Sequence, residues 1–190
     1  VLFLFAVLAA IAPESSAQGE GGGPDLEWRF IEKLRADGME DLALRQLEQF
    51  ATDFPNDPRA PQALLEAATG EAALGRPSRA RELCDDLLER FPSSRQAPAA
   101  ALLRADQLSD ESRWDDAVDA YESLLAAYPG SAESGPARLG LGEALMSRGE
   151  DLEARRLFNG LLGAGTASAV SARARFDLGM LELKAGADSL

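Results

Sequence analysis

One punctuation mark recurs at a fixed interval along this chain. Phe54-Pro55 in "FATDFPND", Phe91-Pro92 in "LLERFPSS" and Tyr128-Pro129 in "LLAAYPGS" stand 37 residues apart (91 − 54 and 128 − 91). A true repeat must carry other columns with it, and self-similarity of this length decides the architecture before any other reading. Ala43, Ala80, Ala117 and Ala154 share one column. Gly38, Gly75, Gly149 and Gly186 share another, interrupted once by Ser112. Leu47, Cys84, Tyr121 and Phe158 form a large column, and Phe50, Leu87, Leu124 and Leu161 a second. Small residues recur at Ala63, Ala100, Ala137 and Ala174, and at Ala68, Ala105, Gly142 and Gly179. All of these align without an insertion.

Each unit reads as two helices. In "SGPARLGLGEALMSRGEDLEARRLFNGLL", Leu141, Gly142 and Leu145 fall on one face of a first helix, and Gly149 breaks it by accepting a positive φ. Ala154, Phe158 and Leu161 then form the apolar stripe of a second helix. The proline after the aromatic stops that second helix, because it drives its predecessor out of the helical region. Pro61 and Pro98 sit in the first turn of the next helix, where a missing N–H is harmless.

The small columns mark close helix crossings, and the large column fills the space between successive pairs. A single pair cannot bury its own apolar faces, so stacking supplies the core. The expected fold is all-α, a right-handed α-solenoid of antiparallel helix pairs. The run Leu141, Gly142, Gly149, Ala154 and Phe158 resembles the tetratricopeptide repeat, and the resemblance covers about residues 25–190. The usual unit has 34 residues; here three more fall between the proline and the next helix. That longer unit with "FPSS" or "YPGS" is similar to two exported bacterial groups. One is the lipoprotein of the outer-membrane β-barrel assembly machine; the other is the periplasmic coordinator of the Tol–Pal system.

The expected units are 25–57, 58–94, 95–131 and 132–168, with 169–190 as the first helix of a fifth. In the fourth, Gly165-Thr166 replaces the aromatic-proline pair, which predicts a looser turn and a change of superhelical pitch. The fifth unit is expected to form a helix over about 171–185, stopped by Gly186, with Leu178 and Leu181 left exposed. A terminal repeat normally covers such a face with a polar cap, so the chain reads as a fragment of a longer protein.

Residues 1–17 read as a secretory signal lacking its basic leader. Val1 to Ala12 is an apolar run too short to cross a hydrocarbon core, which takes about 20 residues. Small residues follow, and cleavage after Ala17 would leave Gln18 first. Residues 18–24 read as a flexible Gly-rich linker, with no Lys-Ser or Lys-Thr after it to make a phosphate loop. No cysteine follows the apolar run, so a lipid-anchored terminus is unsupported, and export to the periplasm is the expectation.

Chemistry is sparse. The net charge of −13 argues against nucleic acid and anionic lipid as partners, since phosphate recognition needs clustered Lys and Arg. There is no histidine, which removes the commonest general base and Ser–His–Asp or Cys–His catalysis. Cys84, the single cysteine, excludes an intrachain disulfide and sits in the large apolar column, as a buried hydrophobe would. Asp85-Asp86 and Asp115-Asp116 are read as helix starts and solvated faces, since helix neighbours diverge. No cofactor, metal or enzymatic activity is expected.

The remaining candidate is a surface. Trp28, Leu65, Leu102, Leu139 and Phe176 form a column on the first helices. The tetratricopeptide resemblance implies that this column lines the concave face, with Glu32, Thr69, Asp106, Glu143 and Met180 one turn along. Apolar and acidic rows together would suit a peptide with hydrophobic anchors and some positive charge. The same column also fits residues packed between adjacent first helices; Trp28 and Phe176, at the two ends, are expected to be the exposed members. The functions that follow are an exported scaffold for a protein or peptide partner, a helical adaptor of a larger secretion protein or enzyme, or a solenoid that self-associates through its open C-terminal repeat.

Overall fold

The structure, a computed structural model, describes residues 22–163 and 168–187. The expected signal, most of the linker and the Gly165-Thr166 turn lie outside the described residues. Among the described residues the secondary structure is all α-helix: α1 Pro24–Ala36, α2 Glu40–Asp53, α3 Ala60–Ala73, α4 Pro77–Arg90, α5 Ala97–Asp110, α6 Trp114–Ala127, α7 Ser134–Arg148, α8 Asp151–Gly163 and α9 Ser168–Ala187. Each helix packs on the next, and α3 also meets α5, α5 meets α7 and α7 meets α9. Among the described residues, no comparable contact joins the second helices of neighbouring pairs. The first helices α3, α5, α7 and α9 therefore form the tighter, inner wall of an α-solenoid.

Local signals place the helix ends. Proline lies at the first or second position of α1, α3, α4 and α5, where it costs no hydrogen bond. Gly38, Gly75 and Gly149 take φ of 73°, 71° and 86° at the turn inside each pair. Ser112, the one interruption of that column, takes φ 58° in the same place, so the turn geometry outlasts the glycine. The second helices α2, α4 and α6 stop one residue before Phe54, Phe91 and Tyr128. From there the backbone makes two successive turns: Asp57 N–H donates to Phe54 O and Ala60 N–H to Asp57 O, and the pattern repeats at 91–97 and 128–134. The three extra residues of the 37-residue unit make up this second turn.

The small columns are buried as their spacing implies, with Ala43, Ala80, Ala117 and Ala154 all at 0 % exposure. A β-carbon on Gly142 would lie 2.5 Å from Phe158 Cε1, which shows how close the helices cross there. The core forms two apolar clusters: Ile31 to Ala100, and Ala101 to Leu181. Leu88 and Tyr128 touch both.

Four expectations need correction. Leu178 is half-buried and Leu181 buried, because both face back onto the core; the apolar side chains that α9 exposes are Phe176, Met180 and Leu183. Gly186 lies within α9, which runs on to Ala187 among the described residues, and does not take the positive φ of Gly38, Gly75 and Gly149. Asp85 and Asp86 sit in the middle of α4, not at its start, and pair with Arg104 and Arg90. Trp28 is half-buried rather than exposed: Phe50 packs edge-on against it at 5.2 Å, and the Arg59 guanidinium lies 5.4 Å over its ring.

Candidate functional site

The first helices α1, α3, α5, α7 and α9 present one side chain of the apolar column each, and an acidic or polar row one turn on. Leu65, Leu102 and Leu139 are half-buried and packed against the core, so this column lies between the interior and the groove. Phe176 is 59 % and Met180 46 % exposed. On the second row Glu32 is exposed, and the exposed Thr69 hydroxyl donates to Leu65 O at 2.8 Å.

The centre of the wall is more elaborate. Asp106, half-buried on α5, accepts a hydrogen bond from the Tyr121 hydroxyl at 2.7 Å. Burial pushes its carboxyl above the ordinary range and the charge of Asp110 adds to this, while the phenol hydrogen bond opposes it. On α7, Glu143 meets Arg173 Nε of α9 at 2.8 Å, and the same Nε lies 3.2 Å from the buried Asp177. The Arg173 guanidinium also stands 5.5 Å over the Phe176 ring. Burial raises the Glu143 carboxyl too; the Arg173 charge opposes it and Asp177 adds to it. Tyr121, Arg173 and Asp177 did not figure among the sequence candidates. Their signal was available in the repeat register, where Asp177 falls level with Leu103 and Gly140.

A polar cleft of about 390 Å³ opens between α4, α5 and α6, lined by Arg81, Asp85, Arg104, Arg113, Asp116 and Asp119. Its guanidiniums are already matched, Arg81 to Glu111, Arg104 to Asp85 and Arg113 to Asp116. It therefore joins neighbouring units. Among the described residues no three Cys, Asp or Glu side chains converge on a metal position. No described helix is long and apolar enough to cross a membrane.

A family model described as a tetratricopeptide repeat matches residues 41–95 and 102–169. The fold is similar to that of MamA from Desulfovibrio magneticus, at 20 % identity over 88 % of this chain and 88 % of that one, with a TM-score of 0.67. A tetratricopeptide repeat protein from Parabacteroides merdae gives a TM-score of 0.71 at 19 % identity, over 87 % of this chain and 61 % of its own. A thermophilic tetratricopeptide repeat protein from Thermus thermophilus gives 0.57 at 21 % identity, over 86 % and 83 %. No curated protein sequence matches the chain.

Proposed function

The chain belongs to the tetratricopeptide repeat family, and from that premise we propose that it is a non-enzymatic scaffold holding a peptide or protein segment along the wall of its first helices. The observation that carries this reading is the continuous inner wall itself. It sets half-buried leucines beside polar and acidic side chains over α3, α5 and α7, and exposes Phe176 and Met180 on α9. Half-buried apolar rows give a bound segment anchor points, and the polar row supplies direction.

We place the scaffold in the bacterial envelope, as an exported protein released by cleavage after Ala17. The apolar run Val1 to Ala12 followed by small residues supports export. The 37-residue unit, shared in kind with the two exported groups named above, supports the envelope role.

Affinity capture from an envelope extract tests the wall, comparing the full chain with Thr69→Arg. Thr69 is exposed on the wall, so an arginine there blocks the groove without entering the core. Leu102→Glu would confuse the result, because Leu102 also packs on the core. Partners retained on the full chain and lost on Thr69→Arg are the expected result; equal capture by both sinks the wall as the binding surface. N-terminal sequencing of the envelope form should start at Gln18.

A further inference from the structure

We infer that Asp106 is the docking point for a cationic side chain, arginine or lysine, of the segment bound on the wall, taking the place that Arg173 takes on Glu143 one unit further along. The inference rests on the wall being the binding surface and names the chemistry its centre selects.

The repeat register supplies the comparison. Positions 37 apart are Glu143 and Asp106, Arg173 and Pro136, Phe176 and Leu139, Asp177 and Gly140. In the later constellation Glu143 has its own cation: Arg173 Nε at 2.8 Å, with the guanidinium laid over Phe176. In the earlier one the residue level with Arg173 is Pro136, which carries no charge. The hydrogen bond that Asp106 accepts comes from a neutral phenol, and no described cation pairs with it. Asp110, one helical turn on and facing the same way, adds a second negative charge.

A half-buried carboxylate without a counter-charge forfeits solvation and gains no Coulomb energy in return. A cation arriving from a partner would restore that balance. Tyr121 occupies Asp106 Oδ1, which leaves Oδ2 and the Asp110 carboxylate as acceptors. Leu139, level with Phe176, provides an apolar surface for the methylene stem of Lys or Arg. Two carboxylates a turn apart, with no third ligand converging, favour such a side chain over a bare metal ion. The net charge of −13 draws basic segments toward the chain from a distance.

The test uses isotope-labelled protein titrated with a short leucine-rich peptide carrying a central arginine, and with counterparts bearing glutamine or glutamate there. Amide shifts over Asp106 to Asp110 should report the arginine peptide binding at least roughly tenfold more tightly than the glutamine one, with glutamate weakest. Asp106→Asn, which still accepts from Tyr121, should abolish the preference. Pro136→Arg should abolish it too, by supplying the cation from within. Equal binding of the arginine and glutamine peptides overturns the inference and leaves the wall standing as a binding surface. Absence of any shift on the first helices overturns both. An arginine preference that survives Asp106→Asn and Pro136→Arg places the cation elsewhere and overturns the assignment to Asp106.

Discussion

The phenol of Tyr121 stands where a β-carbon on Gly140 would have to be. Such an atom would lie 2.4 Å from Cζ and 2.5 Å from the hydroxyl oxygen. Tyr121 is 2 % exposed and tied to Asp106, so the ring cannot simply swing aside. Gly140→Ala therefore sets a helix-propensity gain of about 1 kcal/mol against displacement of a packed ring. We expect displacement to win, with a net loss of about 1–2 kcal/mol in urea unfolding. Gly160, inside α8, meets nothing within 4 Å of its own β-carbon position. Gly160→Ala should accordingly stabilise by about 0.5–1 kcal/mol. Effects of the same sign at both positions would refute the steric account of Gly140.

Arg104 interrupts a column that reads Phe30, Ala67, Leu141 and Leu178 in other units, and it lies where one apolar cluster gives way to the next. Its Nε is buried without a hydrogen-bond partner, while a terminal nitrogen reaches Asp85 at 3.0 Å. The Asp85 side chain is 60 % exposed, so removing Arg104 strands no buried charge. Arg104→Leu should join the two clusters and stabilise the fold by about 1 kcal/mol, at the low end for replacing a buried ion pair because this one is partly solvated. The urea midpoint should rise with the slope unchanged. A fall of similar size would mean that the Arg104–Asp85 pair holds the junction.

How far these features were legible in the sequence depends on what a repeat column encodes. A column specifies where a side chain sits on its helix, so the helix pairs, the buried alanines and the place of Cys84 followed from spacing alone. It does not specify what the neighbouring unit puts against that side chain. Trp28 shares a column with Phe176, yet Phe50 and Arg59 cover Trp28 while Phe176 stays exposed. The partition of α9 shows the same limit, since Leu178 and Leu181 face back to the core while Phe176, Met180 and Leu183 stay exposed. The Tyr121–Asp106 bond joins two different columns, and column-by-column comparison is blind to such a pair. Comparing Arg173 with Pro136 recovers what single columns hide.

Two carboxyls should move stability with pH in opposite directions. Asp106 is raised above the ordinary aspartate value, first by burial and then by Asp110, so the folded state holds its proton more tightly than the unfolded chain. Its contribution improves as pH falls through the window between the raised value and the ordinary one. Asp57 is lowered, chiefly by its hydrogen bonds from the Arg59 side chain. Its contribution is present above the ordinary aspartate value and is lost as pH falls through the lowered one. Urea unfolding across mildly to strongly acidic pH should show the full chain gaining on Asp106→Asn as pH drops. The same series should show it losing its lead over Asp57→Asn. Parallel trends in the two differences would contradict the assigned directions.

Cys84 should be chemically silent in the folded chain. It is fully buried in the large column between Leu47 and Tyr121, and burial pushes its thiol up to about 12, with the Asp85 charge adding to the shift and Arg104 opposing it. At about pH 8 a thiol with that value is ionised to about one part in ten thousand, and the thiolate is the reacting species. A chromogenic disulfide reagent should therefore leave the native protein unlabelled and modify one thiol per chain in urea. Intermediate urea concentrations then report how often the second unit opens, because labelling must wait for Cys84 to reach solvent. Prompt, complete labelling without denaturant would mean that α4 opens readily in the native state, and that the packing of Leu83, Cys84 and Leu87 into the core is not its resting condition.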